Sequence, residues 1–195
     1  MVIKICVIAL VFVLAIAIGI LQGKAQAKKS TYLGFRKLAL SSAGSEEAES
    51  SMTGPNEPRA VLMDMALTRR TSTIAAYADG TASIYISNGG GYLGGSESYK
   101  SIRDAGLQMI AAGHKFQPRM QLTRQFPLPA SGDVIFYVVT NCGVYTARAP
   151  QMELNQRTHP LTELYAAGQE IITQYRLNVG SKAMKPTLSG HNSPT

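Results

Sequence analysis

Hydrophobic residues fall into three patterns along this chain. Ile5 to Leu21 is an unbroken apolar run of seventeen residues. From Ala60 to Ser87, and again from Asp133 to Ala147, short β-branched and aromatic runs with period-two character are separated by turn residues, which predicts strands. Two later segments place apolar residues three and four apart, which predicts helices.

In chain order, Ala60 to Ala66 reads as a first strand, Leu67-Thr68-Arg69-Arg70 as a turn and Thr71 to Tyr77 as a second strand. Asp79-Gly80 then gives a hairpin into Thr81 to Ser87, where Ala82, Ile84 and Ile86 share one face and Tyr85 lies on the other. Asn88 to Gly95, NGGGYLGG, is too glycine-rich to extend that strand and reads as a connection. A helix capped by Ser96 or Ser98 runs to about Ala112, with Gly113 as its stop. Gln117 to Phe126 is extended, Asp133 to Thr140 is a buried strand, and Asn141-Cys142-Gly143 turns it into Val144 to Ala147. After a connection from Pro150 to Pro160, Leu161 to Tyr175 carries a clear helical stripe.

The order β-β-β-α-β-β-β-α predicts an α+β fold: an antiparallel sheet with two helices packed on one face and the other face open. A profilin-like or roadblock-like sheet is the nearest architecture by analogy, which carries no function with it. Asp64 interrupts the first strand and is expected on the solvent face, because an unpaired buried carboxylate is expensive.

The apolar run predicts one transmembrane helix ahead of this domain. Seventeen residues make about 25 Å of helix, near the lower limit for a bilayer. Ala25-Gln26-Ala27 has the small-x-small form of a signal-cleavage site, so a cleaved signal is the alternative to an anchor. The organisation expected is an anchor or signal over 1–27, a basic juxtamembrane segment and flexible linker over 28–58, a single α+β domain over 59–177 and a disordered tail over 178–195. Lys24, Lys28, Lys29, Arg36 and Lys37 follow the apolar run. The positive-inside rule therefore puts the domain on the cytoplasmic side of an inner or plasma membrane, with an exported or periplasmic domain as the alternative.

Charge changes little in this picture. The net charge is +7, but the surplus lies in the segment after the apolar run and in the tail. Glu57 to Leu177 holds eleven Arg or Lys against nine Asp or Glu, so no nucleic-acid partner is expected. Cys6 and Cys142 lie in different segments, which leaves no disulfide framework.

The stretches VLMDMALTRRTSTIAAYADGTASIYISNGGGYLGG, FPLPASGDVIFYVVTNCGVYTARAP and HPLTELYAAGQEIITQYRL resemble a family of small bacterial proteins over about residues 60–177. The resemblance implies a shared domain architecture and attaches no activity, ligand or site residue.

Candidate chemistry is sparse. Gly89, Gly90, Gly91, Gly94 and Gly95 precede a helix, as phosphate-binding loops do, and form a possible ligand or backbone-contact loop, although they match neither the Walker nor the dinucleotide pattern. Tyr85, Tyr92, Arg69 and Arg70 form a possible interaction surface. Lys115, Arg119 and Arg124 offer phosphate contacts. His114, His159 and His191 lack metal-ligand spacing, and Cys142 has no adjacent base, so no catalytic residue, metal or cofactor is assigned. The expectation is a non-catalytic membrane-tethered interaction or assembly domain, a homo-oligomer or membrane-complex subunit. A small-ligand or nucleotide sensor using the glycine loop is the alternative.

Overall fold

The computed structural model describes residues 24–41 and 54–179. Its elements are α1 (24–41), β1 (Ala60–Leu67), β2 (Arg70–Tyr77), β3 (Ala82–Ile86), β4 (Gly91–Leu93), α2 (Lys100–Phe116), β5 (Gln121–Thr123), β6 (Asp133–Thr140), β7 (Gly143–Pro150), α3 (Gln151–Asn155) and α4 (Thr162–Val179). The strands form one antiparallel sheet in the order β4-β3-β2-β1-β6-β7-β5, joined across its middle by β1 and β6.

Local sequence explains the hairpins. Asp79 Oδ1 accepts the Thr81 N–H at 2.7 Å, and Gly80 takes φ +85, a conformation that side-chain-bearing residues rarely adopt. The Asn88 to Gly95 stretch, expected as a plain connection, contains the short edge strand β4 paired with β3. Gly91 makes that pairing possible, because at its φ of +139 a Cβ would collide with the Ile84 carbonyl. Both edges of the sheet, β4 and β5, are three residues long. Edges this short offer little ladder to a further strand.

On one face the strands present Val61, Met63, Ile74, Ile84, Phe136 and Val138 to α2 and α4. The expected pair of helices does lie there. Their approach is close: a Cβ at Gly113 would meet Val61, and one at Gly168 would meet Met63. Tyr175 closes the seam by donating to the Ala82 carbonyl at 2.7 Å, accepting the Gly95 N–H at 3.0 Å and stacking on Tyr92.

The opposite face, expected to be open, is covered by α1. Tyr32, Ala39 and Leu40 pack on Ala60, Leu62, Ala75, Ile135, Tyr137 and Val139. Phe35 stacks on Tyr85 with ring centroids 5.5 Å apart. On β2 and β3 this face resembles a solvated one in sequence because Thr73, Ala75 and Ser83 are small or polar, and those small side chains leave room for a helix. Asp64, expected in solvent, is fully buried there and paired with Arg36 at 2.6 Å.

The membrane-tethered architecture is thereby corrected. Among the described residues no helix is long and apolar enough to cross a membrane. The basic segment expected to lie beside a bilayer instead spends Tyr32, Arg36, Ala39 and Leu40 on the sheet. The apolar run Ile5 to Leu21, the acidic linker residues and the tail from 180 onward lie outside the described residues. Among the described residues no spanning helix supports the single-pass placement, its cytoplasmic or periplasmic alternatives or the membrane partner.

Candidate functional site

The polar groups sealed under α1 form one chain of donors and acceptors. Arg36 Nε donates to Asp64 Oδ2 at 2.8 Å. Its two other nitrogens reach past the sheet to the carbonyls of Phe126 and Pro127, at 3.0 and 3.1 Å. Thr73 donates its one hydroxyl proton to Asp64, so in the Tyr32–Thr73 pair, 2.9 Å apart, Tyr32 is the donor. Tyr137 donates to the Pro127 carbonyl at 2.8 Å, and the Arg36 guanidinium lies 5.3 Å from the Tyr137 ring centre. Among the described residues no buried side-chain nitrogen or oxygen is left without a partner.

Burial dominates the titration of this cluster. It pushes the Asp64 carboxyl above the usual carboxylate range, against the pull of Arg36 and of the Thr73 hydroxyl. Burial first, and the charge of Asp64 second, push the Tyr32 phenol up to about 12. Desolvation works against the charge on the Arg36 guanidinium, but Asp64, Tyr137 and Tyr32 together raise it above its ordinary value, so it stays charged. These groups hold the helix on the sheet and lie too deep to meet a substrate.

Beside this cluster the surface opens into a groove of about 420 Å³. Its floor is Ile135 and Tyr137 on β6 with Thr146 and Arg148 on β7, and its walls are Gln121 and Thr123 on β5, Arg119 before that strand, and Gln125 and Pro127 after it. The volume falls in the range of small-molecule sites. Strand alternation turns Gln121, Thr123, Thr146 and Arg148 to the α1 side of the sheet. The outer wall is fixed by a local turn, in which Thr123 Oγ1 accepts the Gln125 N–H and donates to its carbonyl, each at 3.0 Å. Arg119 and Arg148 supply two positive charges and the lining contains no carboxylate, histidine or cysteine. Arg148 lies 3.6 Å from Asp133, a loose surface pair that neutralises it only in part.

The residues singled out in sequence are dispersed. Arg69 and Arg70, both exposed, meet Asn88 and Gln151 along a second, more open depression at the end of the sheet. Tyr85 is buried under Phe35, and Tyr92 is half-buried with one ring face stacked on Tyr175. The glycine loop is consumed by the β3–β4 turn and by the bond from Gly95 to Tyr175, and a side chain at Gly89 would strike Lys28 of α1. That corrects the sensor reading based on this loop: its conformation serves the edge strand and the helix seam. Lys115 is paired with Glu163, while Arg124 is exposed and outside the groove lining. Cys142 is exposed in the β6–β7 turn, and His159 Nδ1 accepts the Leu161 N–H ahead of α4. No cluster of potential metal ligands occurs among the described residues.

Arg119 stands out in the sequence as a candidate phosphate contact, whereas Arg148 and Gln121 do not and Arg36 reads only as a charge flanking the apolar run. Spacing could not join them, because the groove needs β5 paired to β7 with the whole of β6 lying between the two in sequence. No family model, curated protein or solved structure matches the chain.

Proposed function

We propose that this domain binds a small organic anion, a carboxylate or a phosphate monoester, without covalent chemistry, in the groove between β5, β7 and the Gln125–Pro127 wall. The observation that carries this is the meeting of Arg119 and Arg148 with the Gln121 and Gln125 amides in a groove whose lining holds no carboxylate. Guanidinium forks match carboxylate and phosphate oxygens. Tyr137 and Ile135 close the base of the groove but are themselves buried, so the groups facing an anion are the arginines and amides.

The assignment of α1 to the folded body strengthens this reading. Lys24, Lys28, Lys29 and Lys37 are exposed on α1 and join a body that otherwise counts eleven cations against nine anions. The excess positive field raises the local concentration of anions around the groove.

Phenyl phosphate is a suitable probe, with benzyl alcohol as its neutral counterpart. Titration followed by amide NMR should move resonances of residues 119–125 and 146–148 with phenyl phosphate and leave them still with benzyl alcohol. Arg119→Gln and Arg148→Gln should each weaken binding by about tenfold or more, the loss of one charged hydrogen bond. Equal shifts with both probes, or none with phenyl phosphate at 10 mM (on the order of the weakest useful affinity), would refute the assignment.

A further inference from the structure

Arg36 belongs to α1, yet two of its three nitrogens end on the backbone of the segment that walls the groove. Phe126 and Pro127 have exposed side chains, and the proline in the wall has no N–H with which to join a ladder. What fixes the wall is the Arg36 fork on consecutive carbonyls, the Tyr137 hydroxyl on one of them, and the edge-on packing of Phe126 against Tyr137 at 5.8 Å. Tyr137 is itself groove floor. When α1 lifts from the sheet, the Phe126 carbonyl loses its Arg36 donor and the Pro127 carbonyl keeps only Tyr137.

We infer that Arg36 is a positioning residue for the groove, and that anion binding there is linked to the docking of α1 on the sheet. The inference rests on the anion-binding reading and adds its regulation: the state with α1 undocked has an unformed wall and binds poorly. Linkage is reciprocal, so the bound anion holds α1 down as strongly as docked α1 favours the anion. A ligand in the groove thereby controls whether the face beneath α1, with Tyr85, Leu62 and Ala75, is sealed or exposed.

The test uses the full chain and phenyl phosphate. Amides of residues 32–40 exchange with solvent through openings of α1 that leave the sheet intact, and so faster than the central amides of β1 and β6. If the undocked state does not bind, ligand at ten times its Kd slows this exchange about elevenfold. Unchanged α1 exchange while the groove resonances are saturated would overturn the linkage. Groove resonances that never move would overturn the anion-binding reading, and the linkage with it.

A second arm separates positioning from folding. Arg36→Met combined with Asp64→Leu removes the buried pair without stranding a charge, so the chain keeps a Tm near that of the wild type while the wall carbonyls lose the fork. Its Kd for phenyl phosphate should rise at least tenfold, and a Kd within twofold of the wild type would overturn the role of Arg36. Should that chain fail to fold, Arg36→Lys decides, since a single ammonium beside Asp64 cannot also hold two carbonyls: a raised Kd supports the positioning role and an unchanged Kd refutes it.

Discussion

Replacing Arg36 with Met isolates the interaction that joins α1 to the sheet. The wild-type carboxyl of Asp64 is fully buried and has two partners, Arg36 and Thr73. Without the guanidinium, Asp64 keeps one hydroxyl donor and the Phe126 carbonyl loses its Arg36 donor. Stranding one member of a buried ion pair costs about 3–5 kcal/mol, a large part of the roughly 5–15 kcal/mol that holds a domain folded. At about 2–4 °C per kcal/mol for a chain of this size, the Tm should fall by about 10 °C. The penalty has a pH signature. Burial already holds the Asp64 carboxyl above its usual range with Arg36 present, and removing Arg36 lifts it further. From about 4, where the unfolded chain releases this proton, up to the raised folded value, the folded variant retains the proton. Its stability therefore falls as pH rises through that window, and the deficit against wild type widens with pH once the wild type has released this proton and the variant has not. Urea unfolding of both chains across a pH series reads this directly. A deficit below about 1 kcal/mol, the scale of an exposed pair, or one that stays constant across the series, would refute the reasoning. Arg36→Met with Asp64→Leu should recover most of the loss, since apolar replacement of a whole buried pair is often neutral.

Other consequences follow from the same contacts. Folded Tyr32 holds its proton to about 12 against the usual 10.0, so stability should decline as pH rises from 10 to 12, by about 2–3 kcal/mol in all, and Tyr32→Phe should flatten that decline in alkaline unfolding curves. Tyr175→Phe removes the donor to Ala82 and the acceptor for Gly95; a loss of about 1–3 kcal/mol is expected, with the largest amide shifts in residues 82 and 92–95. Gly113→Ala places a methyl group against Val61 and should destabilise by about 1–3 kcal/mol in thermal unfolding through overpacking of α2 on β1.

Much of the sheet was legible in sequence, because turn chemistry and alternation are local. Asp79-Gly80 located the β2–β3 hairpin, and the run DVIFYVVT located β6 with the bounds observed. The stripe from Leu161 placed α4 on the apolar side of the sheet. The second layer was not legible. Of the α1 side chains that reach the sheet, Tyr32, Ala39 and Leu40 pack in an apolar cluster, but Arg36 stands among them as a charge, and the partners Asp64 and Thr73 look like solvent-facing residues when read along a strand. Each half of the Arg36–Asp64 pair is interpretable only beside the other, and 28 positions separate them. The charge balance failed for the same reason, since the lysines assigned to a membrane flank belong to the body of the fold. The groove was half visible: Arg119 stood out as a cation, but its joining with Arg148 and Gln121 is a product of strand pairing.

The central claim is that residues 24–41 are a layer of this domain, laid on the sheet face that carries Tyr85 and Asp64. Proton–proton NOEs between the rings of Phe35 and Tyr85 test it most directly, because the rings stack at 5.5 Å in the docked arrangement. The account predicts strong cross-peaks between them and from Tyr32 to Thr73. Their absence, with the Tyr85 ring open to solvent and the amides of residues 32–40 exchanging as an isolated helix would, contradicts it.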